Sequence, residues 1–214
     1  MNLLLFTKFW LTIPVLPRSV RGVLLIFVLI SLCPVHTSEA AGAPTDDFIR
    51  EIRELAQAGD AEAQFALAQL LDLGSGPAQN REEAITWLRK AAEQDLAAAC
   101  FTLGLKYEFG VMRQKDLTQA AAWYWRAALQ DLPMAQYRLG LLHLPDDQNA
   151  PDPIPAFAWL SLAAEHGYPD AAEARDKAAG FLSPEERTRA KEMREDLRQQ
   201  IEQQRKKIEK GLLP

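Results

Sequence analysis

The sequence predicts an all-α protein: a right-handed α-α superhelix, a solenoid of antiparallel helical hairpins with a 36-residue repeat. Three observations lead there. The stretch Trp87-Leu88-Arg89-Lys90-Ala91-Ala92-Glu93-Gln94 returns as Trp123-Tyr124-Trp125-Arg126-Ala127-Ala128-Leu129-Gln130 and again as Trp159-Leu160-Ser161-Leu162-Ala163-Ala164-Glu165-His166, each time after 36 residues. A fixed period of this size marks stacked supersecondary repeats. Other columns keep the same register: Ala63, Ala99, Ala135 and Ala171; Leu67, Leu103 and Leu139; Ala68, Gly104 and Gly140; Asn80, Asp116 and Asp152, followed by Ala84, Ala120 and Ala156. No stretch reads convincingly as a strand.

Written as a motif, A-x-A-Q-x-x-L-G-x-x-Y-x-x-G-x-G then D-x-x-x-A-x-x-W-x-x-x-A-A, these columns resemble the Sel-1-like repeat, a branch of the tetratricopeptide superfamily, over residues 46 to about 180. The resemblance implies that the first (A) helix of each hairpin lines a concave groove for a partner's peptide or helix. It further implies an exported bacterial adaptor, of the kind that regulates envelope signalling or scaffolds the assembly of surface structures. Cysteine-rich members clamp each repeat with a Cys pair, whereas this chain has only Cys33 and Cys100. That departure counts against the β-lactam-binding or hydrolysing activity of that branch.

The elements follow in order. Residues 1–40 read as a signal peptide: Val23 to Val35 is almost unbroken apolar sequence, preceded by Lys8, Arg18 and Arg21 and followed by small residues suited to cleavage after Ala40 or Ala43. The core is shorter than the roughly 20 residues of a membrane-spanning helix. The competing reading is an uncleaved inner-membrane anchor. Cleavage leaves 21 basic and 28 acidic residues, a net charge of about −7, which disfavours nucleic acid as a partner because that binding neutralises phosphates with Lys and Arg. The expected location is periplasmic or secreted.

Residues 46–58 form a half-repeat, the second (B) helix of a hairpin that lacks its first, as solenoids commonly begin. Full units cover 59–94, 95–130 and 131–166, starting at Gly59, Asp95 and Asp131, and a partial unit covers 167–180. In the first, helix A is expected over 61–73, a break at Gly74-Ser75-Gly76-Pro77, and helix B over 81–94. Small Ala68, Gly104 and Gly140 are expected to lie against Ala84, Ala120 and Ala156, with the Trp column filling the remaining groove. On that reading Trp123→Ala unfolds the array, since truncating a buried Trp costs about 3–5 kcal/mol. The third unit replaces its glycine turn by Leu144 to Pro155, an acidic connection with four prolines. Ser183-Pro184-Glu185-Glu186 carries complete helix-start signals, and the helix it opens is bounded by Gly211. Its narrow stripe of Ala190, Met193, Leu197, Ile201 and Ile208 suits a cap on the open end over its first half. The second half is left open: free in solvent, paired with a second copy, or docked on a partner.

No catalytic constellation is found. The histidines, His36, His143 and His166, share no metal-ligand spacing with the acidic residues. Ser75, Ser161 and Ser183 sit in a turn, a helix and a cap without a nucleophile elbow. Cys100 occupies the column of Gln64 and Gln136 and reads as a packed thiol. The sequence therefore argues for no enzyme, metal or cofactor. The candidate partner-binding residues are those on helix A that the repeat leaves free, Leu105, Lys106, Phe109, Arg138, Leu141 and Leu142, together with Trp125, an unmatched Trp on helix B. The aromatic column Phe65, Phe101 and Tyr137 is read as packing between A helices. The expected partner is another protein, and the competing reading is self-association through the C-terminal helix.

Overall fold

The structure, a computed structural model, describes residues 46–73, 80–111, 114–145 and 152–210. The signal segment, the Gly74–Pro77 break and most of the proline-rich connection lie outside the described residues. Among those described there are nine α-helices: α1 Asp46–Gln57, α2 Ala61–Leu73, α3 Arg81–Glu93, α4 Ala97–Glu108, α5 Leu117–Ala128, α6 Pro133–Leu142, α7 Pro153–Glu165, α8 Ala171–Gly180 and α9 Pro184–Glu209. Even-numbered helices are the A helices and odd-numbered ones the B helices. Each A helix up to α6 packs on the B helix that follows it, and each B helix up to α7 packs on the next A helix, giving an all-α repeat solenoid.

Two polar columns fix the helix ends. Asn80 accepts from the Glu83 amide at 3.1 Å, Asp116 from Gln119 at 2.9 Å and Asp152 from Ile154 at 2.9 Å, so one column caps α3, α5 and α7. At the other end, Gly59, Asp95, Asp131 and Gly167 take φ of 100°, 62°, 63° and 69°. There the chain reverses through four equivalent turns. The amide of Leu96 returns to Ala91 O at 3.3 Å and that of Asp95 to Ala92 O at 3.0 Å, and the same pair of bonds closes α1, α5 and α7. This 6→1 and 5→2 pattern requires a left-handed residue, which Gly adopts freely and Asp tolerates.

The main core runs through α1 to α7 along the repeat columns, with Leu67, Ala99, Leu103, Ala135 and Leu139 from the A helices and Ala91, Ala92, Ala127 and Ala128 from the B helices. One column adds a contact to the sequence reading. A Cβ on Gly104 would lie 2.6 Å from the Tyr124 ring, and one on Gly140 would lie 2.6 Å from Leu160 Cγ. Gly104 and Gly140 therefore lie directly against Tyr124 and Leu160, the position after the Trp, and Ala68 shares a pocket with both Ala84 and Leu88; Ala84, Ala120 and Ala156 are all buried. Tyr124 and Leu160 are wholly buried, whereas the Trp column is uneven: Trp159 is 0% exposed, Trp87 9%, and Trp123 only half-buried. Arg126 lies 4.6 Å over the Trp123 ring. The expectation that Trp123→Ala unfolds the array is accordingly transferred to Trp159.

The C-terminal helix starts with a full capping box, Ser183 with Glu186, as its sequence predicts. It packs along α7. Leu197 and Ile201 join the main core with Trp159 and Leu162, and Ala190 joins a second cluster with Phe157, Leu160, Ala178 and Leu182. Arg194 and Arg198 pair with Glu165 at 3.5 and 2.5 Å, at the end of α7. The outer positions Ala158, Ser161 and Leu162 are buried there, while their equivalents Thr86, Arg89 and Lys90 in the first unit are exposed. Past Ile201 the helix is mostly exposed and carries its own ion pairs, Lys206 to Glu202 at 3.4 Å and Arg205 to Glu202.

Candidate functional site

The A-helix face of the array is built by α2, α4 and α6, and its polar groups pair between consecutive A helices. Lys106 of α4 reaches back to Asp72 of α2 at 2.8 Å. Arg138 of α6 reaches back to Glu108 of α4 at 3.3 Å. The other oxygen of Glu108 accepts a 2.5 Å hydrogen bond from the Tyr124 hydroxyl. Burial, then this hydrogen bond to a carboxylate, pushes the Tyr124 hydroxyl well above the usual phenol range, so it stays a donor. Arg138 also lies 5.6 Å over the Phe109 ring. One network thus joins α4, α5 and α6 beneath an aromatic ring that is itself 61% exposed.

The predicted binding residues fall into three environments. Leu105 and Leu142 are half-buried against the main core, and Leu141 against the second cluster. Lys106 and Arg138 are engaged in the ion pairs just described. Phe109, with Val111 beside it, is exposed at the end of α4. Trp125 is separate from these: it lies on α5, 37% exposed, edge-on to Trp159 with centroids 5.2 Å apart and planes at 80°. Asp72 and Glu108, which neutralise the two cations, were not recognised from the sequence. A shallow pocket between α2, α3 and α4 is lined by Phe65, Ala68, Leu88, Thr102, Asp72 and Lys106. The corresponding space in the next unit is taken by the larger Tyr124 over Gly104.

The aromatic column also makes ring contacts outside the A helices, while Phe65 lines a pocket together with Thr102 and Lys106 of the next A helix. Phe101 tilts against Tyr124 of helix B at 5.6 Å, and Tyr137 against Tyr168 of the following turn at 4.9 Å. Cys100 donates to Ala92 O at 3.4 Å, as Gln64 does to Ala56 O and Gln136 to Ala128 O from the same column. Burial pushes its thiol up to about 11, so the thiolate that nucleophilic chemistry needs is scarce at neutral pH. Among the described residues no group of three or more His, Cys, Asp or Glu is placed to hold a metal ion. No helix among them is long and apolar enough to cross a membrane.

His143, at the end of α6, is half-buried, and desolvation pulls its ring below the ordinary histidine range, with Asp152 opposing weakly. The unfolded chain therefore binds the proton more readily than the folded one. Its contribution to stability is complete above the unfolded value near 6.5 and is lost as the pH falls below it. His143→Leu, which copies Leu71 of the same column, is expected to flatten the fall in urea midpoint between pH 7 and pH 5. Equal slopes in the two proteins would refute this.

Comparison with known proteins agrees with this geometry. The Sel1 repeat profile matches residues 61–96, 97–132 and 133–168, just over half of the chain. A crystal structure of a Sel1 repeat protein from Oxalobacter formigenes is similar at 38% identity and a TM-score of 0.55, over 60% of this chain and 96% of that one. A protective antigen present in uropathogenic Escherichia coli strains, displaying an SLR fold, is similar at 27% identity and a TM-score of 0.50. That match covers 75% of this chain but only 43% of the antigen. No curated protein matches.

Proposed function

Given that the chain belongs to the Sel1 repeat family, whose members are generally protein-interaction scaffolds, we propose that it is a non-catalytic adaptor of the bacterial periplasm or cell envelope that holds a partner protein on its A-helix face. The observation that carries this reading is Phe109. It is a large apolar ring exposed on a rigid face, flanked by cations that Asp72 and Glu108 already neutralise. Exposed aromatics held on rigid elements are favoured anchors, because little conformational entropy is lost when a partner covers them. With Lys106 and Arg138 paired internally, recognition rests on apolar contact with polar groups at its edge. Export rests on the apolar segment of residues 23–35 and its small-residue cleavage sites. The description of one similar protein as a protective antigen accords with an envelope location.

The test is a photo-crosslinking side chain at position 109 in the chain expressed with its own leader, with products separated by cell fraction and identified by mass spectrometry. The expected result is one envelope protein. A crosslinker at the neighbouring position 111 should capture the same protein, and at least ten-fold less of it once Phe109→Ala is added. Products made only of this chain would replace the adaptor reading by self-association. Products confined to the cytoplasm would remove the envelope from it.

A further inference from the structure

A solenoid stays soluble by keeping the outer faces of its end units polar, since no further unit buries them. The C-terminal unit follows this rule. In α8, Arg175 and Asp176 take the columns of Leu67 and Ala68 and pair with each other at 2.7 Å. The N-terminal unit does not. α1 is a B helix, and among the described residues no A helix precedes it. Its Phe48, Ile52 and Leu55 take the columns of Ala84, Leu88 and Ala91, all of which are buried in the next unit. Two alanines are thus replaced by larger apolar side chains, and both of these are exposed, Leu55 to 49%.

The edge of this apolar stripe is acidic. Glu51 and Glu54 are exposed and have no ion pair among the described residues, whereas Arg50 is held by Asp47 at 2.9 Å and Arg53 by Glu83 at 2.5 Å. Complementary chemistry stands on α9. That helix seats Leu197 and Ile201 in the core beside α7 while Arg194 and Arg198 hold Glu165, so it already recognises one B helix by apolar side chains flanked by cations. The same pattern continues past Ile201, where the helix is mostly exposed. Residues 202–210 hold four basic and two acidic side chains. Glu202 is engaged by Arg205 and Lys206. Lys207 and Lys210 have no ion pair among the described residues, and Ile208 between them is 36% exposed.

We propose that the α9 tail of one copy seats on the open face of α1 of a second copy, joining the chains head to tail. Ile208 covers Phe48 and Leu55, and the basic tail lies against Glu51 and Glu54. The contact is heterologous: every pair of joined copies keeps one open α1 and one open tail, so association continues past the dimer. The two turns of tail span about 12 Å. An interface of that length is smaller than a stable complex needs, so association is weak and grows with concentration. Opposite charges at its rim make it weaken as salt rises. It uses neither Phe109 nor the A-helix face, and it stands apart from the adaptor reading.

The experiment measures mass in solution by analytical ultracentrifugation over a range of concentration and salt, on the chain expressed with its own leader, with circular dichroism checking that each variant is folded. The wild-type mass is expected to rise with concentration and to return towards the monomer as salt rises. Leu55→Asp and Ile208→Asp, both at exposed positions, are each expected to weaken association about ten-fold or more, the effect of losing one apolar side chain's burial. Mixing the two variants separates head-to-tail from tail-to-tail contact. The Leu55→Asp chain keeps its tail and the Ile208→Asp chain keeps its α1 face, so an equal mixture is expected to form dimers and nothing larger. A wild-type chain that stays monomeric at every concentration, association that survives Leu55→Asp, or a mixture no heavier than either variant alone overturns the proposal.

Discussion

Replacing Trp159 by alanine is expected to cost about 3–5 kcal/mol, the range for truncating a wholly buried tryptophan, against a total stability of about 5–15 kcal/mol for a native domain. Trp159 is 0% exposed because it is enclosed from several directions: Trp125 meets it edge to face, and Leu197 and Ile201 of α9 belong to the same core cluster. Its loss opens a cavity at the joint between the third unit and the C-terminal helix, so α9 is expected to detach before the first two units unfold. Trp123→Ala should cost much less, since Trp123 is half-buried under Arg126. A phenylalanine at 159 should be tolerated far better than alanine. The indole N–H of Trp159 has no acceptor among the described residues, because Pro155 stands where Glu83 accepts from Trp87 at 3.2 Å. Urea denaturation of the three variants checks the order, and a Trp123→Ala loss as large as that of Trp159→Ala would reverse this account of the core.

The repeat was legible in the sequence because every unit must bury the same columns against its neighbours, so Trp, Ala-Ala, Leu and the N-capping Asn or Asp recur at one interval. The partner of each column was less legible. Trp87 and Leu88, Trp123 and Tyr124, and Trp159 and Leu160 are adjacent, about 100° apart on a helix of 3.6 residues per turn. Which of the two meets helix A depends on the docking angle, which the period leaves undetermined. The seat of α9 on α7 did leave a trace: Ala158, Ser161 and Leu162 are small or apolar where the first unit has Thr86, Arg89 and Lys90. The A-helix ion pairs left none. Lys106 to Asp72 and Arg138 to Glu108 span 34 and 30 residues, neither of them the repeat length, so column-reading treats each cation as free. Long side chains cross between helices by reach, which a period cannot record.

Gly104→Ala is expected to destabilise the second unit despite replacing a mid-helix glycine, a change that by propensity alone favours the helix by about 1 kcal/mol. The new Cβ would lie 2.6 Å from two carbons of the Tyr124 ring, and the ring cannot retreat easily. It is wholly buried, tilts against Phe101, and is anchored through its hydroxyl to Glu108. Overpacking of this kind costs about 1–3 kcal/mol, and breaking the Tyr124–Glu108–Arg138 network adds to it, so the clash outweighs the propensity gain. The array itself supplies the compensating change. Its first unit pairs Ala68 with Leu88, so Gly104→Ala combined with Tyr124→Leu rebuilds an arrangement the protein already uses 36 residues earlier. Tyr124→Leu alone should also lose stability, by removing both ring contacts and the donor to Glu108. The double variant should nevertheless be more stable than the sum of the two single losses by about 0.5–3 kcal/mol, the range for residues in direct contact. Strict additivity in a double-mutant cycle of urea unfolding would mean that the close approach of α4 to α5 is not set by the Gly104–Tyr124 pair.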